Sequence, residues 1–167
     1  LALVADNNFA ALLSLKHRNP DHVPVLWLGT VVARDTDGGT EYWLCLQPRC
    51  DSIRLSQETA FPFLRLVKSN DRNLINCLVQ DGGTTEVFKI SRRIRDLEMV
   101  KFSPDDGEVR GKKTGDNYYF GEIELGQYRW VGELKPQHAQ RVANQFAAEA
   151  SRVGVAESEW LRTHGGN

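Results

Sequence analysis

Three consecutive stretches decide the fold: VLWLGTVVA at residues 25–33, DTDGG at residues 35–39 and YWLCLQ at residues 42–47. The first and third are rich in β-branched and aromatic residues, which favour strands. The Asp-Gly pair between them is typical of a tight hairpin turn. Both predicted strands are apolar on both faces, so we expect them to lie centrally in a sheet that is covered on each side.

The same alternation of short apolar runs and turns continues for most of the chain. A polar loop is predicted at residues 103–115, and Asp-Gly or Gly turns separate the other runs, which favours antiparallel neighbours. Together with the first hairpin, this predicts about eight short strands, the later ones at residues 61–67, 74–79, 85–90, 97–102, 118–120 and 128–131.

Helices are predicted at both ends of this β-rich body. The apolar residues within 6–18 have helical spacing, so a helix is predicted there. Asp6 is a plausible N-cap for it, and Pro20 marks its end. Pro136 suits the first turn of a second helix, residues 136–153, and a third helix is predicted at residues 156–163. The second helix carries an apolar stripe that we expect to cover the sheet or plug the barrel: Ala139, Val142, Ala143, Phe146, Ala147, Ala150 and Val153. The predicted fold class is therefore α+β: an antiparallel, barrel-like body with an N-terminal linker helix and a C-terminal helical pair.

Composition narrows the classes of function. The 167 residues are 41% hydrophobic and 26% charged, with a net charge of −1, which suits a folded domain and argues against a generally basic nucleic-acid binder. No apolar run approaches the length of a membrane-spanning helix, so no membrane partner is expected. Cys45, Cys50 and Cys77 have no spacing that suits a disulfide framework or, with the four histidines, a zinc site. We expect a cytoplasmic protein with reduced thiols and no cofactor.

The first candidate site is the bend after the second strand, where Asp51 lies between Arg49 and Arg54. A carboxylate between two guanidinium groups can form bidentate pairs that hold a bend, and we predict an ion-pair network here. The same residues could instead bind an anion or an acidic residue of a partner.

The second candidate site is a basic stripe. Residues 89–113 hold eight Lys and Arg against five Asp and Glu. Such a stripe can follow a phosphate backbone, although a solvated surface explains it equally well. Its members include Lys89, Arg92, Arg93, Arg95, Arg110, Lys112 and Lys113.

The third candidate site is Glu133-Leu134-Lys135, at the end of a strand and before a helix. One class of metal-dependent nucleases places a carboxylate and a lysine in this way, with an earlier acid completing a Mg²⁺ site. Here that acid would be Asp116 or Glu122. A charged strand end beside a helix N-terminus explains the tripeptide without chemistry.

Several phrases resemble a known family. They are FAALLS (residues 9–14), LGTV (28–31), CLQPRCDSIRL (45–55), FPFL (61–64), RWVGELK (129–135), AQRVA (139–143), SRVG (151–154) and EWLR (159–162). The chain resembles the C-terminal half of bacterial response-receiver-domain proteins, which are found beside a histidine-kinase-like ATPase in putative defence loci. The stretch around Cys50-Asp51-Ser52 is the most specific part.

This resemblance implies an upstream receiver domain, to which residues 1–20 would be the linker, and a single output domain at residues 21–167. We therefore expect a non-enzymatic output or interaction domain of a two-component-like regulator in antiviral defence. Its implied partners are the receiver domain and the ATPase or another protein. The alternatives are the divalent-metal nuclease and a DNA-binding output domain that uses the basic stripe.

Overall fold

The computed structural model describes residues 13–16, 22–69, 77–91, 93–121 and 127–151. Two short 3₁₀ turns lie at Arg49–Ser52 and Ile94–Asp96. Within the described ranges the strands and the long helix are β1 Thr30–Thr36, β2 Gly39–Cys45, β3 Thr59–Lys68, β4 Cys77–Asp81, β5 Thr84–Ile90, β6 Leu97–Phe102, β7 Lys112–Thr114, β8 Asn117–Phe120, β9 Tyr128–Glu133 and α1 Pro136–Ser151.

The strands form one antiparallel sheet in the order β4-β5-β3-β2-β1-β9-β8-β7, and β6 pairs with β3 outside this order. On the side away from β2, β3 has two neighbours. Its residues 59–64 pair with β6 and its residues 66–68 pair with β5. The sheet therefore divides along β3 and curls into a half-barrel, which confirms the antiparallel, barrel-like body.

Both faces of the central strands are buried, as the apolar sequence of β1 and β2 predicts. Val31 and Val32 are neighbours in β1, and both are fully buried. The helix face of the sheet packs against α1 and against β4 and β5, and it includes Val31, Ala33, Tyr42, Leu44, Leu66 and Val131. The opposite face, which we call the cleft face, packs against β6 and Leu26. It includes Val32, Trp43, Cys45, Phe61, Phe63 and Tyr128.

Helix α1 covers the helix face with only part of its predicted stripe. Ala139 and Val142 are buried, whereas Ala147, on the same predicted stripe, is exposed. The fully buried contacts of α1 therefore lie in its first half, and in its second half the half-buried Phe146 still packs against the helix face. Residues 152–153 of this helix and the whole predicted helix at residues 156–163 lie outside the described residues.

The predicted N-terminal helix is wrong at its C-terminal end. Leu15 forms a β-bridge with Leu134, and the Lys16 amide donates to the Glu133 carbonyl over 2.8 Å. These residues extend along the end of β9. There they pair with backbone groups of Glu133 and Leu134 that would have no such partner if Leu15 and Lys16 were helical. Residues 1–12 and 17–21 lie outside the described residues, so the rest of the linker prediction stays a prediction.

The first predicted strand also begins later than expected. Residues 25–29 precede β1, because Gly29 adopts a φ of +95° and turns the chain before Thr30. The predicted loop at residues 103–115 contains a short strand, β7. The predicted hairpins of β1 with β2 and of β4 with β5 are confirmed. No helix in the described part of the chain is long and apolar enough to span a membrane.

All three cysteines are free thiols. Cys45 and Cys77 are buried, and burial raises the pKa of each thiol to about 12. Cys50 is exposed on the 3₁₀ turn. The two buried cysteines therefore act as small apolar core residues.

Candidate functional site

The bend at Arg49–Ser52 is held by neutral hydrogen bonds. The Ser52 hydroxyl donates to the Pro48 carbonyl over 2.9 Å, and the Gln47 side chain donates to the Asp51 carbonyl over 3.1 Å. The Arg49 guanidinium lies 4.0 Å from the centre of the Trp27 ring, a cation–π contact.

The predicted ion-pair network at this bend is wrong. Asp51 and Arg54 are exposed, and the structure places no ion pair among Arg49, Asp51 and Arg54, all of which it describes. Asp51 and Arg54 are open to solvent, where pairing gains little, and the Arg49 guanidinium lies against an aromatic ring. A binding role for the three residues stays a prediction.

Glu133 of the candidate nuclease tripeptide has structural partners. Its carboxylate pairs with Lys16 and accepts a 2.6 Å hydrogen bond from the Trp27 indole N–H. The Glu133 side chain is only 11% exposed. Together with Arg49, these contacts join the N-terminal segment, the residues before β1 and the end of β9.

The other members of the proposed metal site do not complete it in the described residues. The Lys135 amide donates to the Ser14 carbonyl over 2.8 Å, and Asp116 lies exposed in the turn between β7 and β8. Glu122 falls outside the described residues. In the ranges that the structure describes, no three His, Cys, Asp or Glu side chains are grouped so that they could hold a metal ion.

The basic stripe is divided between distant parts of the sheet. Lys89 lies on β5 and Lys112 on β7, and five strands separate these two in the sheet order. Arg93 and Arg95 are exposed at the 3₁₀ turn before β6, and Arg92 is outside the described residues. The described members of the stripe therefore do not form a continuous track for a phosphate backbone.

Two members of the stripe, Arg110 and Lys112, instead line a cleft of about 480 Å³ together with Lys101. The cleft lies between β6 and β7, the two strands at which the cleft face of the half-barrel ends. Its apolar part is formed by Phe102, Val109 and Tyr128, each at most 5% exposed. We call this feature the seam cleft.

The charges around the seam cleft are partly compensated. Lys101 pairs with Glu58 over 3.3 Å, and Arg110 pairs with Glu108 over 3.1 Å. Lys112 has no ion-pair partner among the residues that the structure describes. Asp105 also lines the cleft, so its walls carry both signs of charge, with cations in excess.

A network around Arg34 fixes the β6 wall of the cleft. The Arg34 guanidinium donates to Glu98 of β6 over 3.0 Å, to the Tyr128 hydroxyl over 3.1 Å and to Glu41 over 3.1 Å. Burial alone would lower the pKa of Arg34, but the hydrogen bonds to Glu98 and Glu41 raise it above the ordinary arginine value. Arg34 therefore stays charged and joins β6 to β1 and β9.

Part of the Arg34 network is buried without a hydrogen-bond acceptor. The Arg34 Nε–H and the Trp43 indole N–H have no acceptor among the described atoms. The guanidinium lies 5.2 Å from the centre of the Trp43 ring, and this cation–π contact offsets part of the cost of burial.

Sequence reasoning missed Lys101 and Tyr128 as site residues. Lys101 is the single cation of a strand that also carries Glu98, and Tyr128 is one of several aromatic residues in strands. Their spacing in sequence carries no sign that they line the same cleft. The only available signal was the excess of cations at residues 89–113, which includes Lys101.

Comparison with protein-family models, curated proteins and solved structures finds no match to this chain. The fold and the seam cleft are therefore the observations on which a functional proposal depends.

Proposed function

We propose that this chain is a non-enzymatic interaction domain that binds a partner protein in the seam cleft. The observation that carries the proposal is the position of the cleft between β6 and β7, with an apolar floor and walls on which cations are in excess. Concave sites with a mainly apolar floor and a few polar groups are the usual places where proteins bind ligands.

The family resemblance supports a biological setting for this proposal. In that setting, the domain is the output half of a two-component-like regulator in bacterial antiviral defence. Its partners are an upstream receiver domain and a histidine-kinase-like ATPase. An upstream domain would connect through Leu15 and Lys16, which are anchored to the end of β9.

The contacts of Glu133 favour this proposal over the nuclease alternative. A metal ligand must present its carboxylate to the cation, whereas the Glu133 carboxylate accepts from Trp27 and pairs with Lys16. The described cations of the basic stripe lie on separate strands, and this arrangement likewise favours a protein partner over DNA.

Calorimetric titration of the chain with the receiver domain and with the ATPase tests the proposal. We expect one of them to bind, and we expect Lys112→Glu to weaken the binding about tenfold, which corresponds to the loss of one charge-assisted contact. Lys89→Glu is the matched control, because it makes the same charge change on β5, away from the cleft. Equal effects of the two variants, or no binding by either partner, would contradict the proposal.

A parallel assay tests the nuclease alternative. The chain is incubated with plasmid DNA and Mg²⁺ or Mn²⁺, and we expect no cleavage. Cleavage that disappears in both Glu133→Gln and Lys135→Ala, while circular dichroism shows that both variants are folded, would replace the proposed function by the nuclease. Asp116→Asn, at an exposed turn position, reports whether that acid takes part.

A further inference from the structure

We infer that the partner enters the seam cleft as an extended, acidic segment that adds a strand to the free edge of β6. This inference rests on the proposed function and specifies the chemistry of the partner. It combines three observations: an unpaired strand edge, an apolar floor beside that edge and an excess of cations around it.

The backbone of β6 offers the pairing. β6 is hydrogen-bonded to β3 along one edge. Along the other edge, the Leu97 N–H donates to the Ile94 carbonyl of the preceding 3₁₀ turn. The remaining backbone groups of this edge have no backbone partner in the described part of the chain. A strand edge of this kind presents a row of N–H and C=O groups that can pair with another extended chain.

Of the two strands that border the seam cleft, β6 and β7, only β7 is shielded against pairing. β7 has three residues, all exposed, and two of them are Lys112 and Lys113, which is how proteins commonly protect an edge. β6 has six residues, no proline and a single lysine, and its Met99 is 57% exposed. The longer and more apolar edge is therefore the one that suits an added strand.

The side chains around the cleft determine the composition of the added strand. Because side chains of a strand alternate between two faces, one face of the segment would contact Phe102, Val109 and Tyr128 and should be apolar. Its carboxylates would meet Lys112, which has no ion-pair partner among the described residues, and Lys101 and Arg110.

The acidic residues of the cleft argue against a nucleic acid as the occupant. Glu58 and Asp105 line the same walls, and a regularly spaced phosphate backbone would lie close to them. A peptide can place its few carboxylates opposite the cations and neutral side chains opposite the acids.

The Arg34 network prepares β6 for this role. Glu98 is held by Arg34 on one face of β6, so the strand does not need to be ordered when the partner binds. A preformed strand edge lowers the entropic cost of association.

The test uses three synthetic ten-residue peptides and the 167-residue chain. One peptide alternates valine and glutamate, one alternates valine and lysine, and one is the acidic peptide with alternate amides N-methylated so that they cannot donate. We expect only the first to bind, and we expect amide hydrogen exchange to slow at Met99 and Lys101, whose N–H groups face away from β3, when it does. Lys101→Glu and Lys112→Glu should each weaken binding about tenfold, and Lys89→Glu should leave it unchanged.

The outcomes separate this inference from the proposed function. If the receiver domain or the ATPase binds and Lys112→Glu weakens that binding, but the β6 amides stay unprotected and the acidic peptide does not compete, the inference is wrong and the proposed function stands. Equal binding of the methylated peptide would exclude strand addition. Protected Met99 and Lys101 amides in the free chain would mean that the edge is already covered, by a segment of this chain or by a second copy, which sedimentation distinguishes. Either result overturns the inference.

Discussion

Tyr42 belongs to a hydrogen-bond network that connects three strands through the Asp81 carboxylate. Its hydroxyl donates to Asp81 of β4 over 2.9 Å, and Arg129 of β9 donates to the same carboxylate through two hydrogen bonds of 2.7 Å. Burial, and after it the hydrogen bond to Asp81, together raise the pKa of Tyr42 to about 12. The contact holds the edge strand β4 against β9 on the helix face.

This raised pKa predicts a pH dependence of stability. The folded state binds the Tyr42 proton more tightly than the unfolded state, whose pKa is near 10. The stabilisation is therefore complete below pH 10 and is lost between pH 10 and 12, by about 2–3 kcal/mol. In urea unfolding, Tyr42→Phe should be about 1 kcal/mol less stable than the parent at pH 8. This difference should vanish or reverse near pH 12.

Tyr118→Phe is the control for this experiment, because the Tyr118 hydroxyl has no hydrogen-bond partner among the described residues. A Tyr42→Phe curve parallel to that of the parent from pH 8 to 12 would show that the hydroxyl does not titrate as its contacts require.

At the level of elements, the position of α1 on the sheet depends on a close approach at Gly29. A Cβ atom at Gly29 would lie 2.9 Å from the Ala139 Cβ and 3.2 Å from the Leu134 carbonyl oxygen. The small residues of the predicted stripe are therefore used where the helix begins. A larger side chain at Gly29 or Ala139 would push α1 away from the helix face.

Paired glycine substitutions measure this approach. Gly29→Ala and Gly39→Ala both place a side chain at a positive φ, +95° and +110°, but a Cβ at Gly39 has no atom within 4 Å. We expect Gly39→Ala to cost about 1–2 kcal/mol through backbone strain alone. Gly29→Ala should cost a further 1–3 kcal/mol or so through overpacking, measured by chemical unfolding. Equal losses would mean that α1 moves away without cost.

At the scale of the whole molecule, the distribution of charge over the surface indicates the kind of partner better than the net charge does. The chain has 21 Lys and Arg and 22 Asp and Glu. The curl of the sheet gathers Lys101, Arg110 and Lys112 around one cleft and leaves Lys89 on a separate strand. The resulting cationic surface is small and concave, which suits a short acidic segment better than a long polyanion.

This distribution predicts weak binding to DNA. Non-specific binding depends on several simultaneous phosphate contacts and has dissociation constants of about 10⁻⁴–10⁻⁶ M at physiological salt. With a fluorescent duplex, we expect no dissociation constant below about 1 µM at that salt concentration. Tighter, salt-sensitive binding that is lost when Arg92, Arg93 and Arg95 are all changed to alanine would instead establish the basic stripe as a DNA site.

The sequence by itself determined the local elements of this protein. The β1–β2 and β4–β5 hairpins were predictable because Asp-Gly turns and β-branched runs act over a few residues. The start of α1 was predictable because Pro136 suits the first turn of a helix. Burial of β1 and β2 on both faces followed from their continuous apolar sequence.

Only the tertiary structure decided how these elements meet. The Trp27 indole donates to the Glu133 carboxylate, 106 positions away, and this contact gives Glu133 a structural partner that its sequence neighbours do not reveal. Likewise, the seam cleft joins Lys101 of β6 to Lys112 of β7 through the curl of the whole sheet. Such contacts depend on strand register and on the burial of both faces at once, and neither is encoded within a window of neighbouring residues.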